Sequence, residues 1–147
     1  MLKIILIFCL IFSLFQNLIA EEYFLTLRND KVNLRQGPSF EYPVKLFYKK
    51  KFLPVVVQDK FDNFRKIRDH ENNTGWIHVS QLSKKKAAIV IDDEAYIFSN
   101  NSVYSKPLAI SKSGKLLLIK RCKKNWCKIS NKNINGWIKR DSLWGLY

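Results

Sequence analysis

The chain contains one short pattern twice, "GWIHVSQL" at residues 75–82 and "GWIKRDSL" at residues 136–143. In both copies the closing Leu follows the Trp by six positions. Two other segments precede the pattern in the same order, "VNLRQGPS" and "LPVVVQDKFDNFRKI" in the first half, "AYIFSNNS" and "GKLLLIKRCKKNWCKI" in the second. Three segments that recur in one order predict two copies of a unit of about sixty residues. The copies join near "SKKKAA".

Each copy has the pattern of short β-strands. "PVVV" and "KLLLIK" are short apolar runs, each followed by a polar turn pair, Asp62-Asn63 or Lys124-Asn125, and then by the alternating segments "FRKI" and "WCKI". Such runs with a two-residue turn between them predict β-hairpins. An antiparallel sheet of this size must curl to bury one face, so each copy is expected to form a small barrel.

The repeated Gly-Trp-Ile step is expected to have a structural role. Gly75 and Gly136 would let the backbone bend into the last strands, because a residue without Cβ tolerates unusual geometry. Trp76 and Trp137 would then cover the end of each barrel as buried aromatic residues. After each Trp there is room for a single helical turn that returns a Leu to the core.

These residues carry a resemblance to a known family. "VNLRQGPS", a hairpin and "GWIHVSQL" resemble the bacterial SH3-like (SH3b) domain family, and the second copy keeps the closing half but opens with "AYIFSNNS". The resemblance implies an all-β fold of two tandem small SH3-like β-barrels after an N-terminal signal peptide. The expected divisions are a signal peptide at residues 1–20, a first domain at 21–83 and a second at 84–147. The family implies binding modules of the cell envelope.

The first twenty residues have the layout of a secretory signal peptide. "MLKIILIFCLIFSLFQNLIA" sets one Lys before an apolar run without acids and closes on Ala20. The apolar run is short for the ~20 residues of a membrane span. We expect cleavage after Ala20 and an exported protein of the periplasm or cell envelope. Retention of this segment as an anchor is the alternative, and it is the only membrane contact that the sequence predicts.

The net charge of the chain limits the classes of partner that it can be expected to bind. The formal net charge is +14, and loss of Lys3 with the signal peptide would leave +13. A basic chain with aromatic residues is typical of nucleic-acid binding, but an exported protein rarely meets nucleic acid, so we expect none. Anionic surfaces of the envelope stay available as partners, while the lysines can equally be solvated charge that keeps the chain soluble.

The two cysteines of the second copy are expected to form a disulfide. In "RCKKNWC" a turn at Lys124 and Asn125 would pair Lys123 with Trp126 and place Cys122 opposite Cys127. Directly opposed residues at a non-hydrogen-bonded position are close enough for a disulfide, and an oxidising compartment permits one. A redox pair or a metal site is the less favoured interpretation.

We expect no catalytic residue, no cofactor and no metal site. A wall-cleaving cysteine peptidase needs a Cys, a His and a polar orienting residue in a catalytic domain. His70 and His78 are isolated and have no zinc-site spacing. The acidic run Asp92 to Glu94 has the character of a solvated turn and lacks the Gly-containing loop of a calcium site. Recognition of proline-rich peptides is not expected either, because the Pro and Tyr of such a groove are missing.

The sequence therefore predicts a non-catalytic binding protein of the cell envelope. Its expected partner is peptidoglycan or another envelope component, and the alternative is an adaptor that docks an envelope protein and never touches the wall. Candidate ligand contacts are cationic or aromatic residues of both copies, although core packing competes as an explanation for most of them: Arg35, Tyr42, Tyr48, Arg65, Tyr96, Tyr104 and Trp144.

Overall fold

The structure is a computed structural model that describes residues 21–131 and 133–146. The predicted signal peptide lies outside the described residues. Strands and short 3₁₀ turns form two separate seven-stranded sheets, which confirms the all-β fold of two small barrels. No helix in the described part of the chain has the length and apolar character needed to cross a membrane.

The first sheet is built by residues 23–83. Its strands lie side by side in the order β3-β2-β6-β5-β4-β1-β7, and neighbours are antiparallel. A 3₁₀ turn at Val79–Gln81 separates the last two strands. The strands are β1 (Tyr23–Leu27), β2 (Val32–Arg35), β3 (Val44–Tyr48), β4 (Pro54–Phe61), β5 (Phe64–Arg68), β6 (Thr74–His78) and β7 (Leu82–Ser83).

The second sheet repeats this topology within residues 87–144. Its order is β10-β9-β13-β12-β11-β8-β14, and a 3₁₀ turn at Arg140–Ser142 stands where the first copy has Val79–Gln81. The strands are β8 (Ala87–Val90), β9 (Glu94–Phe98), β10 (Pro107–Lys112), β11 (Leu116–Lys123), β12 (Trp126–Asn131), β13 (Ile134–Lys139) and β14 (Leu143–Trp144). In the described part of the chain, the fourteen strands lie within residues 23–144.

The two predicted hairpins are confirmed in register. In the first copy Phe61 pairs with Phe64 across the Asp62-Asn63 turn. In the second, Cys122 pairs with Cys127 next to the Lys124-Asn125 turn, and their sulfurs form a disulfide across Cα atoms 4.0 Å apart. The disulfide prediction is therefore confirmed. The predicted helical turns that return Leu82 and Leu143 to the two cores are also present.

Trp76 and Trp137 were predicted to cover the barrel ends as buried aromatic residues, and of the two only Trp137 is buried. Strand alternation places Ile77 and Ile138 in the cores with no exposed surface, so the preceding Trp lies on the outer face of each barrel. Trp76 is half-buried, whereas Trp137 is 8% exposed, and the cations of Arg121 and Lys128 lie 5.7 and 5.8 Å from its ring centroid. The tryptophans thus cover the outer surface of the sheet.

The repeated glycines have a different role from the one predicted. A Cβ on Gly75 would lie 2.7 Å from the carbonyl oxygen of Arg35, and one on Gly136 would lie 2.8 Å from that of Phe98. Strands β6 and β2, like β13 and β9, therefore approach each other too closely for a side chain. Glycine is required here by this approach, and neither residue has a left-handed backbone.

The barrels contact each other through the end of the second copy. The Trp144 ring packs edge to face on Phe24 of the first barrel at 5.1 Å between centroids. Trp144 and Leu116 lie against the first core, to which Ile89 also belongs. A Cβ on Gly145, whose φ is +117°, would lie 2.7 Å from Pro54 Cβ. The two repeats therefore share a packed interface.

Candidate binding groove

Each barrel has a corner where a loop, a hairpin turn and the 3₁₀ turn meet. The loops at residues 36–43 and 99–106 have the same length and are closed by equivalent bonds. Gln36 N–H donates to Pro43 O at 3.1 Å, and Ser99 N–H donates to Lys106 O at 2.9 Å. The second loop keeps this shape although it lacks the Gly-Pro of the first.

The same corner is tied to the hairpin turn in both copies. Val79 N–H donates to Asn63 O at 2.9 Å, and Arg140 N–H donates to Asn125 O at 2.8 Å. These bonds hold the 3₁₀ turn against the hairpin turn. The surfaces between the three segments are therefore equivalent positions in the two barrels.

The loops are braced by different side chains. The Arg35 guanidinium donates to Phe40 O at 3.1 Å and to Tyr42 O at 2.9 Å. Phe98 occupies the corresponding position in the second copy, where the Ser105 hydroxyl donates to Ser102 O at 2.7 Å and accepts from Asn100 N–H at 3.2 Å. A guanidinium thus stabilises this loop in the first barrel, and a hydroxyl stabilises the equivalent loop in the second.

The first corner is filled by its own side chains. Phe40 projects from the loop and packs on Phe64 and His78, with ring centroids 5.2 and 5.1 Å away, and Phe64 and His78 are 5.1 Å apart. Phe64 is 5% exposed beneath this cover, while Phe40 is 62% exposed. The His78 ring is oriented by Ser80, whose hydroxyl lies 2.8 Å from Nδ1. A ligand could not enter this corner without displacing Phe40.

The second corner is open. Val103 stands where the first loop has Phe40, and its shorter side chain leaves the hairpin side of the corner uncovered. A groove of about 390 Å³ results, which we call the corner groove. It is lined by apolar and polar side chains of all three segments: Asn101, Ser102, Val103, Asn125, Trp126, Lys139 and Asp141.

The corner groove combines one aromatic surface with groups of both charges. Trp126 begins β12 directly after the turn, pairs with Lys139 across the strands, and packs edge to face on Phe98 at 5.6 Å. Asp141 lies in the 3₁₀ turn that follows Lys139. An indole face with a few polar groups around it is the usual composition of a small-molecule or peptide site. The groove can therefore pack an apolar ligand face while it binds polar groups at the rim.

Two of the seven predicted contacts have structural positions instead. Tyr48 is buried, and its hydroxyl donates to Asp69 at 3.0 Å. Burial and the Asp69 carboxylate raise its pKa well above the ordinary value of 10.0. Tyr48 is therefore part of the first hydrophobic core. Trp144 packs between the barrels as described above, which accounts for its aromatic surface.

The cations among the predicted contacts are engaged by the backbone. Arg35 braces the first loop. Arg65 donates to Asp62 O at 2.9 Å and to Phe64 O at 2.8 Å, so it caps the first hairpin turn. The structure does not bring these two residues into the corner groove.

The remaining predicted contacts are exposed tyrosines. Tyr42 and Tyr96 are 48% and 50% exposed, and Tyr104 is 96% exposed on the loop that forms the corner groove. Their roles as ligand contacts stay predictions. Trp126 and Lys139 were not predicted from the sequence as ligand contacts. Alignment of the two repeats makes Trp126 the equivalent of Phe64. The described residues contain no cluster of His, Cys, Asp and Glu that could hold a metal ion.

The comparisons with solved structures give distant matches. The chain is similar to NlpC2 and NlpC1 from Trichomonas vaginalis, each at 16% identity over 84% of this chain with a TM-score of 0.38. It is also similar to an NlpC/P60 family protein from Bacillus cereus ATCC 10987, at 13% identity over 82% of this chain with a TM-score of 0.38. The matches cover 48%, 45% and 55% of those chains, so this chain spans about half their length. No curated protein matches.

The family comparison is specific. The profile described as "Bacterial SH3 domain" matches residues 28–84 and again residues 92–145. Domains of this family are cell-wall binding modules and are typically associated with the cell envelope. Each match falls on one barrel, contains its corner and ends after its 3₁₀ turn. The chain therefore belongs to the bacterial SH3 domain family, of which it contains two copies.

Proposed function

We propose that this protein is an exported, non-catalytic wall-binding protein that binds peptidoglycan through the corner groove of its second barrel. The observation that carries the proposal is the difference between the corners: Phe40 fills the first, whereas Val103 leaves Trp126 accessible in the second. The corner is thus open in the second barrel and filled in the first.

Peptidoglycan has the chemistry that this groove fits. Its sugars offer apolar ring faces to an aromatic side chain, and its short peptides carry carboxylates and amides. Trp126 supplies the aromatic surface, Lys139 can pair with a carboxylate, and Asn101 and Asn125 can bind amides. The net charge of +14 favours approach to an anionic wall.

Export is supported by two features of the chain. The first twenty residues have the layout of a signal peptide. The Cys122–Cys127 disulfide is of the kind that persists in oxidising compartments. Because both sulfurs are in this bond, neither cysteine offers a thiolate nucleophile, and turnover of wall fragments is not expected.

Retention on purified, protein-free sacculi tests the proposal. Residues 21–147 should sediment with sacculi and stay bound in about 0.5 M salt, where simple charge attraction is largely screened. Val103→Glu places a charge in the groove and should abolish retention. Leu108→Glu is the matched control, since Leu108 is 45% exposed, close to the 47% of Val103, and lies outside the groove.

The sedimentation result also distinguishes wall binding from the adaptor hypothesis. A protein that docks an envelope protein would not sediment with sacculi from which proteins have been removed. Equal retention of both variants would place the wall contact elsewhere on the molecule. Release of the native protein from sacculi in moderate salt would show that only nonspecific charge attraction holds it there.

A further inference from the structure

A turn of the first barrel holds a bulky residue in a backbone conformation that suits glycine. Leu53 N–H donates to Lys50 O at 3.4 Å and closes a turn in which Phe52 has a φ of 65°. The second barrel closes the same turn from Lys115 N–H to Lys112 O at 3.2 Å, and Gly114 occupies this position with a φ of +77°. The fold thus accepts glycine where the first copy has phenylalanine.

Packing in the core does not explain why Phe52 stands in this turn. It is half-buried and is not among the residues that pack on the first hydrophobic core. Its ring instead lies under the Lys51 ammonium, 5.2 Å from the ring centroid. An aromatic ring in a strained turn, with a cation above it, points to a role at the surface.

A second phenylalanine with cations on its ring lies on the strand that leads into this turn, and this one is exposed. Phe47 is 48% exposed, and the ammonium groups of Lys31 and Lys49 lie 5.1 and 5.4 Å from its ring centroid. Phe47 with Lys31 and Lys49, and Phe52 with Lys51, are two groups of a ring with cations, five positions apart in the chain, which together we call the Phe-Lys face. None of these lysines makes an ion pair within the described residues. Asp30, next to Lys31, is the one acid in the adjoining loop 28–31.

The second barrel lacks this arrangement. Its turn has Ser113 and Gly114 at the central positions, and Lys112 is paired with Glu94 at 2.7 Å. Ile110 is as exposed as Phe47, at 48%, but it is aliphatic and has no ring on which a cation could stack. The Phe-Lys face is therefore specific to the first copy and is not a feature of the shared fold.

We infer that the Phe-Lys face docks the protein onto a lipid bilayer that carries anionic headgroups. Lysines gain from the negative surface potential of such a bilayer, and the exposed Phe47 and half-buried Phe52 gain by entering the boundary between headgroups and acyl chains. A phosphate polymer would satisfy the lysines but offers no apolar layer to the two rings. The pairing of each ring with a cation favours the bilayer.

Vesicle sedimentation with residues 21–147 tests this inference. The protein should bind vesicles in which about a third of the lipid is phosphatidylglycerol, and should not bind vesicles of phosphatidylcholine alone. Lys49→Glu with Lys51→Glu should weaken binding by at least about tenfold. The same charge change on the second barrel, Lys120→Glu with Lys123→Glu, should have a much smaller effect.

The aromatic variants distinguish a bilayer from a phosphate polymer. Phe47→Ser with Phe52→Gly should lose most vesicle binding while the melting temperature stays near that of the native protein, because glycine already stands in the second turn. Ile110→Ser, the equally exposed control, should bind like the native protein. Unchanged binding of the phenylalanine variant, or equal binding of the native protein to poly(glycerol phosphate), would overturn the inference. Normal sacculus retention by this variant would show that the two surfaces are independent.

Discussion

Single residues that differ between the copies often do the same structural work. Arg35 and Ser105 both hold the loop at their corner, one through a guanidinium and the other through a hydroxyl. Phe40 and Val103, in contrast, have different effects on the corner, because only the larger side chain reaches across it. One substitution thus changes what a corner can bind without changing the backbone that forms it.

Asp69 is expected to be the most sensitive polar residue of the first barrel. It is 1% exposed, and its carboxylate accepts from Glu71 N–H at 2.9 Å, Asn73 N–H at 2.8 Å, the Asn73 amide at 2.8 Å and Tyr48 OH at 3.0 Å. Asp69→Ala should lower the free energy of unfolding by about 3 kcal/mol, since buried donors lose their acceptor. Denaturant titration measures this, and a loss below about 1 kcal/mol would contradict the role.

The Tyr48 hydroxyl gives a pH-dependent prediction. Its pKa is raised by burial and by Asp69, so the folded protein keeps the phenol proton at pH values where the unfolded chain loses it. The associated stability is complete below about pH 10 and falls as the pH rises further. Tyr48→Phe should lower stability at pH 7 by about 1 to 2 kcal/mol and should weaken the alkaline loss. A variant with the same alkaline slope as the native protein would refute this assignment.

The outward orientation of the tryptophans predicts which neighbour matters more for stability. Ile77→Ala removes a fully buried side chain and should cost about 3 kcal/mol. Trp76→Ala removes a half-buried side chain from the outer face and should cost less, despite its larger size. Thermal melts of the two variants decide this, and the reverse order would show that Trp76 contributes more to stability than its outward position implies.

The strands and hairpins were the most predictable elements. Apolar runs before two-residue polar turns predict hairpins in register, and the repeat predicts that the second copy follows the first. The direction in which Trp76 and Trp137 point was not predictable, because Gly-Trp-Ile allows either of its last two residues to face inward. The corner groove was not predictable either, since it depends on whether residue 40 or 103 reaches a turn more than twenty positions away. The packing of Tyr48 and Trp144 was not predictable, because aromatic character alone does not distinguish an exposed ring from a packed one.

The disulfide stabilises one hairpin of the second barrel. Cys127 is fully buried in the second core, and the ring that the bond closes is short, so chain entropy contributes about 2 kcal/mol. Reduction should increase amide hydrogen exchange in β11 and β12. The equivalent strands β4 and β5 should change less, because the matching positions are Lys60 and Arg65. Equal effects on both hairpins would contradict a local role.

At the scale of the whole molecule, the packed interface predicts that the barrels unfold together. Trp144→Ala removes the ring that packs on Phe24 and on the first core, and should cost about 2 kcal/mol because the ring is partly buried. Calorimetry should show one transition for the native protein and two for the variant. Tyr96→Ala, which removes an exposed ring of the second barrel, should keep one transition. Two transitions in the native protein would show that the interface does not couple the barrels.

The wall ligand is expected to bind at the corner groove of the second barrel and not at the equivalent corner of the first, which Phe40 fills. Titration of isotope-labelled residues 21–147 with soluble peptidoglycan fragments, followed by NMR, tests it directly. Chemical shifts should move for the backbone of Val103 and Lys139 and for the indole N–H of Trp126, while signals of Phe40, Phe64 and His78 stay in place. Saturating shifts at the first corner, or none at either corner, would contradict the account.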